Sequence, residues 1–324
     1  MRVLLYPQIY ENSGTGNLLR MFYLYSYLRQ IEEITQISMS INNKTIAEKV
    51  LLSIGINIKF ETLWTSEKYD VIIHDYLEID LKLLKKLRSC TKCLVALDFS
   101  EYEKKGFDII INLYSHNQKQ INKFQGRLYE GLQFAILKQE VIDSKQNYFD
   151  YNAKDKVKIL ITFGGEDPNS NTLNILEAFN YKTVCVKVLL GVLNKDKNEI
   201  TQKYSDKVEI LDPTPYLGKL IVESDLVICG GGTTLIESIY LGNPIIAIPQ
   251  NNYELDFINF IKQFIPLFSK SDLPTLLHRC QDIEFRKVIH RKYTNYVDGK
   301  GKERIKEIIL GGVTDEKSLG YRCW

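Results

Sequence analysis

The sequence has no apolar run approaching the ~18 to 20 residues that a membrane span requires, so no transmembrane segment is expected. Its first ten residues hold one Arg and a short apolar stretch, then pass into Glu11, Asn12 and Ser13. A signal peptide would need a longer apolar core and a small-residue cleavage site, and the expected location is cytoplasmic. An excess of one charge sign is also missing. The 42 Lys and Arg face 40 Asp and Glu, a formal net charge of +2, which gives no broad pull on phosphate backbones and argues against nucleic acid as a partner. The four histidines (His74, His116, His278, His290) show no metal-ligand spacing, and neither a metal nor a cofactor is expected. No Gly-x-Ser-x-Gly and no His-Glu-x-x-His is present. Six cysteines are scattered along the chain, and the Cys90/Cys93 pair has no second pair or His cluster beside it. They read as thiols that pack as small apolar side chains.

What the chain does have is ordinary globular composition, 44% hydrophobic and 25% charged over 324 residues, enough for two domains at ~150 residues each. Short β-rich runs alternate with amphipathic stretches. The first half reads as strands at Arg2–Tyr6, Thr35–Ser40, Asn57–Glu61, Asp70–His74, Cys93–Asp98 and Asp108–Leu113, with helices at Asn17–Ile31, Lys44–Ile54 and Ile79–Arg88. Runs such as Val71-Ile72-Ile73 are continuous rather than alternating, the pattern of a parallel sheet covered on both faces. Residues 143–155 are polar and read as a linker between an N-terminal unit (1–142) and a C-terminal unit (156–310), with a tail at 311–324. The second series starts at Lys156–Phe163 and includes Thr172–Phe179, Thr183–Leu189, Val208–Leu211, Asp225–Cys229, Leu235–Leu241 and Ile245–Pro249. Two such halves bind ligand in the cleft between them, at the carboxyl ends of their strands.

Three glycine turns occupy equivalent places in these halves. In Asp225-Leu-Val-Ile-Cys-Gly-Gly-Gly-Thr-Thr-Leu-Ile-Glu-Ser a buried strand ends in Gly230, Gly231 and Gly232 and turns at Thr233 and Thr234 into a helix. The bare amides and positive dipole end of such a helix attract phosphate; a plain tight turn is the alternative. No Lys follows, so this is not an NTP-hydrolysing phosphate loop, and the first strand is not followed by Gly-x-Gly-x-x-Gly. Glu237 has the Thr234-x-x-Glu237 spacing of a capping box, and equally suits the ribose hydroxyls of a nucleotide. Thr162-Phe-Gly164-Gly165-Glu-Asp167-Pro168 places a second glycine pair after a strand, with Asp167 and Pro168 expected at the N-cap and first turn of a helix. Ser13-Gly14-Thr15-Gly16-Asn17 is the third. His74 and Asp75, at a strand end, either face the cleft as a base or are simply solvated. Phe22, Tyr23, Tyr25 and Tyr27 on the first helix read as core packing.

Taken in order, these motifs resemble the PseG/SpsG-like family of UDP-sugar hydrolases and glycosyltransferases, nucleotide-sugar enzymes of GT-B fold, and more distantly the peptidoglycan GlcNAc transferase MurG. The motifs are Ser13-Gly-Thr-Gly with Arg20; Asp108-Ile-Ile-Ile-Asn; Tyr129-Glu-Gly-Leu-Gln-Phe-Ala-Ile-Leu; Phe163-Gly-Gly-Glu-Asp-Pro; Gly230-Gly-Gly-Thr-Thr-Leu-Ile-Glu; and Asp298-Gly-Lys-Gly with Arg304. The likeness covers roughly residues 1 to 305. It implies an α/β protein of two Rossmann-like, doubly wound parallel-sheet domains facing a cleft that holds a UDP-sugar. Gly230–Thr234 would hold the diphosphate and Glu237 the ribose, with Gly14, Gly16, Arg20, Gly164, Gly165 and Asp167 also at the nucleotide-sugar site. The first half would receive the acceptor, which is a sugar, a lipid-linked sugar or water. The hydrolases carry a His base after the Gly-x-Gly, and here that position is Asn17, whose amide orients a hydroxyl but takes up no proton. Asp75, His74 and Asp98 are the candidate replacements. The resemblance thus implies inverting glycosyl transfer in surface-polysaccharide or nonulosonic (pseudaminic-type) sugar biosynthesis. The alternatives are a hydrolase of a UDP-diacetamido-trideoxy-sugar with another base, and a non-catalytic nucleotide-sugar-binding protein.

Overall fold

The structure is a computed structural model describing residues 1–11, 14–61, 68–102, 106–114, 124–145 and 156–313. In its first half, strands β1 (Arg2–Pro7), β2 (Gln36–Met39), β3 (Tyr69–Asp75), β4 (Thr91–Leu97), β5 (Ile109–Asn112) and β6 (Arg127–Glu130) alternate with helices α1 (Gly16–Leu28), α2 (Lys44–Ser53) and α3 (Leu81–Ser89). Helix α4 (Gln139–Ser144) leads towards the second half. There, strands β7 (Val157–Thr162), β8 (Val184–Leu189), β9 (Glu209–Leu211), β10 (Leu226–Cys229) and β11 (Ile245–Ala247) are interleaved with helices α5 (Asn171–Leu176), α6 (Lys197–Tyr204), α7 (Leu217–Val222) and α8 (Thr233–Leu241). Helices α9 (Asn252–Ile261), α10 (Leu273–Arg279), α11 (Ile283–Tyr293) and α12 (Gly301–Val313) follow. Helix starts carry their own stop signals: Asn43 accepts from Ile46 N, Asp80 from Lys82 and Leu83 N, Asn251 from Glu254 N and Asp282 from Glu284 N.

Both sheets are wholly parallel, in the orders β2-β1-β3-β4-β5-β6 and β11-β10-β7-β8-β9. Each order reverses direction once, between β1 and β3 in the first sheet and between β7 and β10 in the second. At such a reversal neighbouring crossovers depart to opposite faces and leave a crevice at the carboxyl ends of the strands. All three glycine turns follow strands at these two reversals.

Continuous apolar strands bury both faces of the first sheet. Leu5, Ile73 and Val95 pack beneath α1, whose Leu18, Met21, Leu24 and Leu28 recur at helical spacing, while Leu4, Ile72 and Leu94 face α3. Phe22, Tyr25 and Tyr27 are half-buried against this core, and Tyr23 lines the interdomain cleft instead. Cys90 and Cys93 are buried in different cores, on opposite faces of the sheet, and burial pushes the Cys93 thiol up to about 11. A shared ligand or disulfide role is therefore excluded for this pair in the fold.

The chain passes between the lobes twice. Leu132, Ala135, Leu137 and Val141 pack into the second core. Ile305, Ile308 and Ile309 of α12 return to the first. The return is fixed by Arg304, which forks onto both carboxylate oxygens of Asp298 at 2.8 and 2.5 Å and donates to Gln133 O. A side chain at Gly301 would run into the backbone of Phe134 and Ala135, which accounts for the Asp298-Gly-Lys-Gly motif.

The structure corrects several sequence expectations. Residues 57–61 make no strand; Glu61 forms a single bridge to Ser40. β6 was not expected, and the expected linker begins within α4, its residues 146–155 lying outside the described part, as do His116, Cys323 and residues 314–324 of the tail. Asp167 is not an N-cap. The cap position of α5 is Ser170, in left-handed conformation, and Asp167 accepts from Asn171 N and Thr172 N at 2.8 Å from one turn earlier.

At the edge of β10, Asp225 accepts from Lys158 N at 2.9 Å and pairs with Arg286, both side chains being 4% exposed. Removing one partner strands a buried charge, so Asp225→Ala is expected to lower stability by about 3–5 kcal/mol, measured by urea denaturation. Asp225→Asn with Arg286→Met should cost clearly less.

Candidate active site

The carboxyl ends of the two sheets enclose a cavity of about 540 Å³. From the first lobe it is lined by Gly14, Thr15, Gly16, Asn17, Arg20 and Asp98, and from the second by Gly164, Gly165, Gly230–Gly232, Thr233, Thr234 and Glu237. The lobes touch through these turns. A Cβ at Gly165 would overlap the Thr15 side chain, and one at Gly16 would sit 3.4 Å from Thr233 Cγ2. Gly14, at φ 77°, donates its N–H to Glu166 Oε2 at 3.1 Å across the gap.

Helix α8 opens at Thr233 behind Gly232, and no side chain caps it. The capping-box reading of Thr234 and Glu237 is thus wrong: Glu237 lies in the body of the helix, 5% exposed, with its side chain on the cleft. Burial pushes its carboxyl up to about 8; nearby Lys138 opposes this and Glu140 adds to it. The carboxylate at the glycine turn is instead Glu254, which accepts from Gly231 N at 2.8 Å and Gln250 N at 2.9 Å. The turn therefore lies on the cleft with one of its amides held by a neighbouring acid, and Thr233 and Thr234 at the start of α8 also line the cavity.

Arg20 links two acids. It forks onto both oxygens of Asp75 and donates from Nη1 to Asp98 Oδ2 at 3.1 Å. Burial works against its charge, and Asp75 and then Asp98 outweigh this, so its pKa is raised. Asp75 is wholly buried, and burial outweighs the pull of Arg20, so that its carboxyl is raised to about 6. His74 is also wholly buried, its Nε2 is 2.9 Å from Gln8 Oε1, and burial drives it down to about 3. Neither His74 nor Asp75 is on the cleft wall, contrary to the expectation for a cleft-facing base; both lie behind the carboxyl end of β3. Asn17 lines the cleft but turns its amide to Gln8 O and Asp75 O. Asp98 remains: its side chain is 22% exposed on the cavity wall. It holds a left-handed backbone (φ 54°) that non-glycine residues rarely adopt. Its turn is braced by Asn112, which brackets the Phe99 backbone, accepting from Phe99 N and donating to Phe99 O. Asp167, buried and spent on the α5 amides, is off the wall.

Several cleft residues were missed from sequence: Lys138, Tyr10, Tyr76, Gln250, Tyr253 and Glu254. The available signal was topological, since Tyr10, Tyr76 and Gln250 follow β1, β3 and β11 at their carboxyl ends.

Because Glu237 keeps its proton in the fold up to about pH 8 but loses it near 4.5 when unfolded, the unfolded state binds fewer protons between these values. Its contribution therefore makes stability fall as pH rises through that window. Glu237→Gln should flatten this slope in melts between pH 5 and 8; an unchanged slope would contradict the buried-acid assignment.

Residues 166–259 match the glycosyltransferase family 28 C-terminal domain. The chain is 28% identical over 256 residues to the uncharacterized protein MJ1062 of Methanocaldococcus jannaschii, covering 75% of this chain but only 51%, about half, of that protein. It is 25% identical over 268 residues to the spore coat polysaccharide biosynthesis protein SpsG of Bacillus subtilis, covering 75% of this chain and 77% of SpsG. Among solved structures, Acinetobacter baumannii MurG aligns at TM-score 0.59 and 12% identity over 96% of this chain and 99% of MurG. Anabaena Alr3699/HepE in complex with UDP-glucose aligns at TM-score 0.60 and 12% identity, over 96% and 100%. This chain is a GT-B-fold homologue of SpsG whose second half carries a glycosyltransferase family 28 C-terminal domain.

Proposed function

We propose that this protein processes a UDP-linked sugar in polysaccharide biosynthesis, transferring the glycosyl group to an acceptor hydroxyl with inversion. The observation that carries the reading is the single interlobe cavity onto which the α8 start, Glu237 and Asp98 all open. The diphosphate would lie at the Gly232–Thr234 amides, where helix α8 presents its positive end; Gly231 is already engaged by Glu254. Glu237 would take the ribose hydroxyls, and a protonated or hydrogen-bonded carboxyl suits that role in a dry pocket. The family match and the name of SpsG support the coarser reading of a UDP-sugar-processing protein of polysaccharide biosynthesis.

In the transfer step the acceptor oxygen attacks the anomeric carbon, the bond from that carbon to the β-phosphate oxygen breaks, and UDP leaves with the electron pair. The amides at the α8 start stabilise the charge that develops on the leaving oxygen. The acceptor proton passes to Asp98. Among the four candidates it is the one that combines a carboxylate with access to the cavity, and Arg20, itself fixed by Asp75, holds it in place. Asn17 spends its side chain on Gln8 O, Asp75 O and Leu18 N and takes up no proton.

The test is incubation with a panel of UDP-sugars, with and without acceptors, and mass spectrometry of the products. Acceptor-dependent UDP release supports transfer; UDP and free sugar formed in water alone would favour hydrolysis. Asp98→Asn is expected to reduce kcat by ~10²–10⁴-fold while UDP affinity, measured by calorimetry, stays within a few-fold. Asn17→His, which restores a titratable group on the cleft wall, should raise acceptor-independent UDP release.

A further inference from the structure

The reading above leaves the acceptor open and gives His74 no role. Both meet at the mouth of the cleft. Tyr10, after β1, and Tyr76, after β3, line the cavity with ring centroids 5.1 Å apart, tilted by 59°. Tyr253, from the first turn of α9 in the opposite lobe, faces them and donates to Glu78 Oε1 at 2.8 Å. Tyr10 is 44% and Tyr253 38% exposed, so large aromatic surface stands open inside a concave site rather than in the core.

The arrangement is held from behind. His74 is stacked on Tyr6 and neutral through burial, and its Nε2 donates to Gln8 Oε1 at 2.9 Å. With its oxygen so engaged, the Gln8 amide is oriented to donate from Nε2 to the Tyr10 hydroxyl at 2.8 Å. The Tyr10 oxygen accepts, which sets its own O–H as a donor. His74 is by this account a positioning residue, acting through Gln8 on Tyr10.

Charge decides what such a wall receives. Among the described lining residues the cations are Arg20 and Lys138. Arg20 is committed to Asp75 and Asp98, and Lys138 lies 3.8 Å from Glu140 and beside Glu237. The wall also carries Glu11, Asp98 and Glu254. A second diphosphate, as a lipid-diphosphate acceptor would bring, meets carboxylates and no uncommitted cation on these residues. A neutral sugar ring, by contrast, has apolar C–H faces that pack on tyrosine rings.

We propose that the tyrosine-lined mouth is the acceptor subsite and that it takes a neutral saccharide, stacked on Tyr10 and Tyr76. The proposal rests on the glycosyl-transfer reading only in calling that saccharide the acceptor.

The test is saturation-transfer NMR on the full chain, with and without UDP, using cellobiose, maltose and N,N′-diacetylchitobiose as neutral probes and geranyl diphosphate as the charged one. At least one neutral probe is expected to receive saturation at its ring C–H protons. Tyr10→Ala should weaken that binding about tenfold and Tyr10→Phe by less, with UDP affinity unchanged in both. His74→Leu, which frees Gln8, should behave like Tyr10→Phe. The proposal is overturned if none of the neutral probes binds, if Tyr10→Ala leaves their binding intact, or if geranyl diphosphate competes for the mouth. Failure of UDP to bind while a neutral probe still does would instead overturn the donor assignment and leave the saccharide subsite standing.

Discussion

Where the lobes meet, glycines of one turn lie against threonine side chains of the other, and the rest of the site depends on that. Gly165 lies so near Thr15 that any side chain there would collide, and Gly16 packs against Thr233. At Gly165 it is the missing Cβ that allows the carboxyl ends of the two parallel sheets to approach this closely. The approach brings the start of α8, the Asp98 turn and the loop after β1 around one cavity of about 540 Å³. A larger residue at position 165 would press on Thr15 and push the two turns apart.

Burial then sorts the charged groups into two kinds. Asp225 with Arg286, and Asp75 with Arg20, are satisfied pairs inside their own lobes. Such pairs add little net stability, because desolvation offsets their attraction, yet losing one member is costly. Glu237 is different: it is as buried as they are, and burial, with Glu140 adding to it, wins over the attraction of Lys138. Asp98 stands between the two kinds, held on one side by Arg20 and open to the cavity on the other.

Much of the architecture was legible because parallel strands buried on both faces leave an unmistakable mark. Val71-Ile72-Ile73 and Leu226-Val-Ile-Cys have no polar alternation, and both are central strands. β6 left no such mark: in Arg127-Leu-Tyr-Glu, at the sheet edge, only Tyr129 is buried. Residues 57–61 alternate like a strand, yet pair only through Glu61. The glycine turns were legible for the same physical reason that they matter, since a strand ending in Gly230-Gly-Gly has few other uses. Local spacing misled at Glu237, where a capping pattern sits one turn inside a helix that had already begun at Thr233.

The sequence by itself determined the alternation of strands and helices, the parallel sheets and the three glycine turns, because these follow from side-chain periodicity and backbone freedom along a few residues. Only the tertiary structure decided which acids are buried behind the sheet and which line the cleft. His74, Asp75 and Asp98 each stand at or just beyond the end of a strand and look alike in one dimension. What separates them is whether a partner from α1 or β1 covers them: Gln8 takes His74, Arg20 takes Asp75 whole, and Asp98 keeps one side to the cleft. Such partners lie far away in sequence, and desolvation is a property of the packed neighbourhood rather than of the residue.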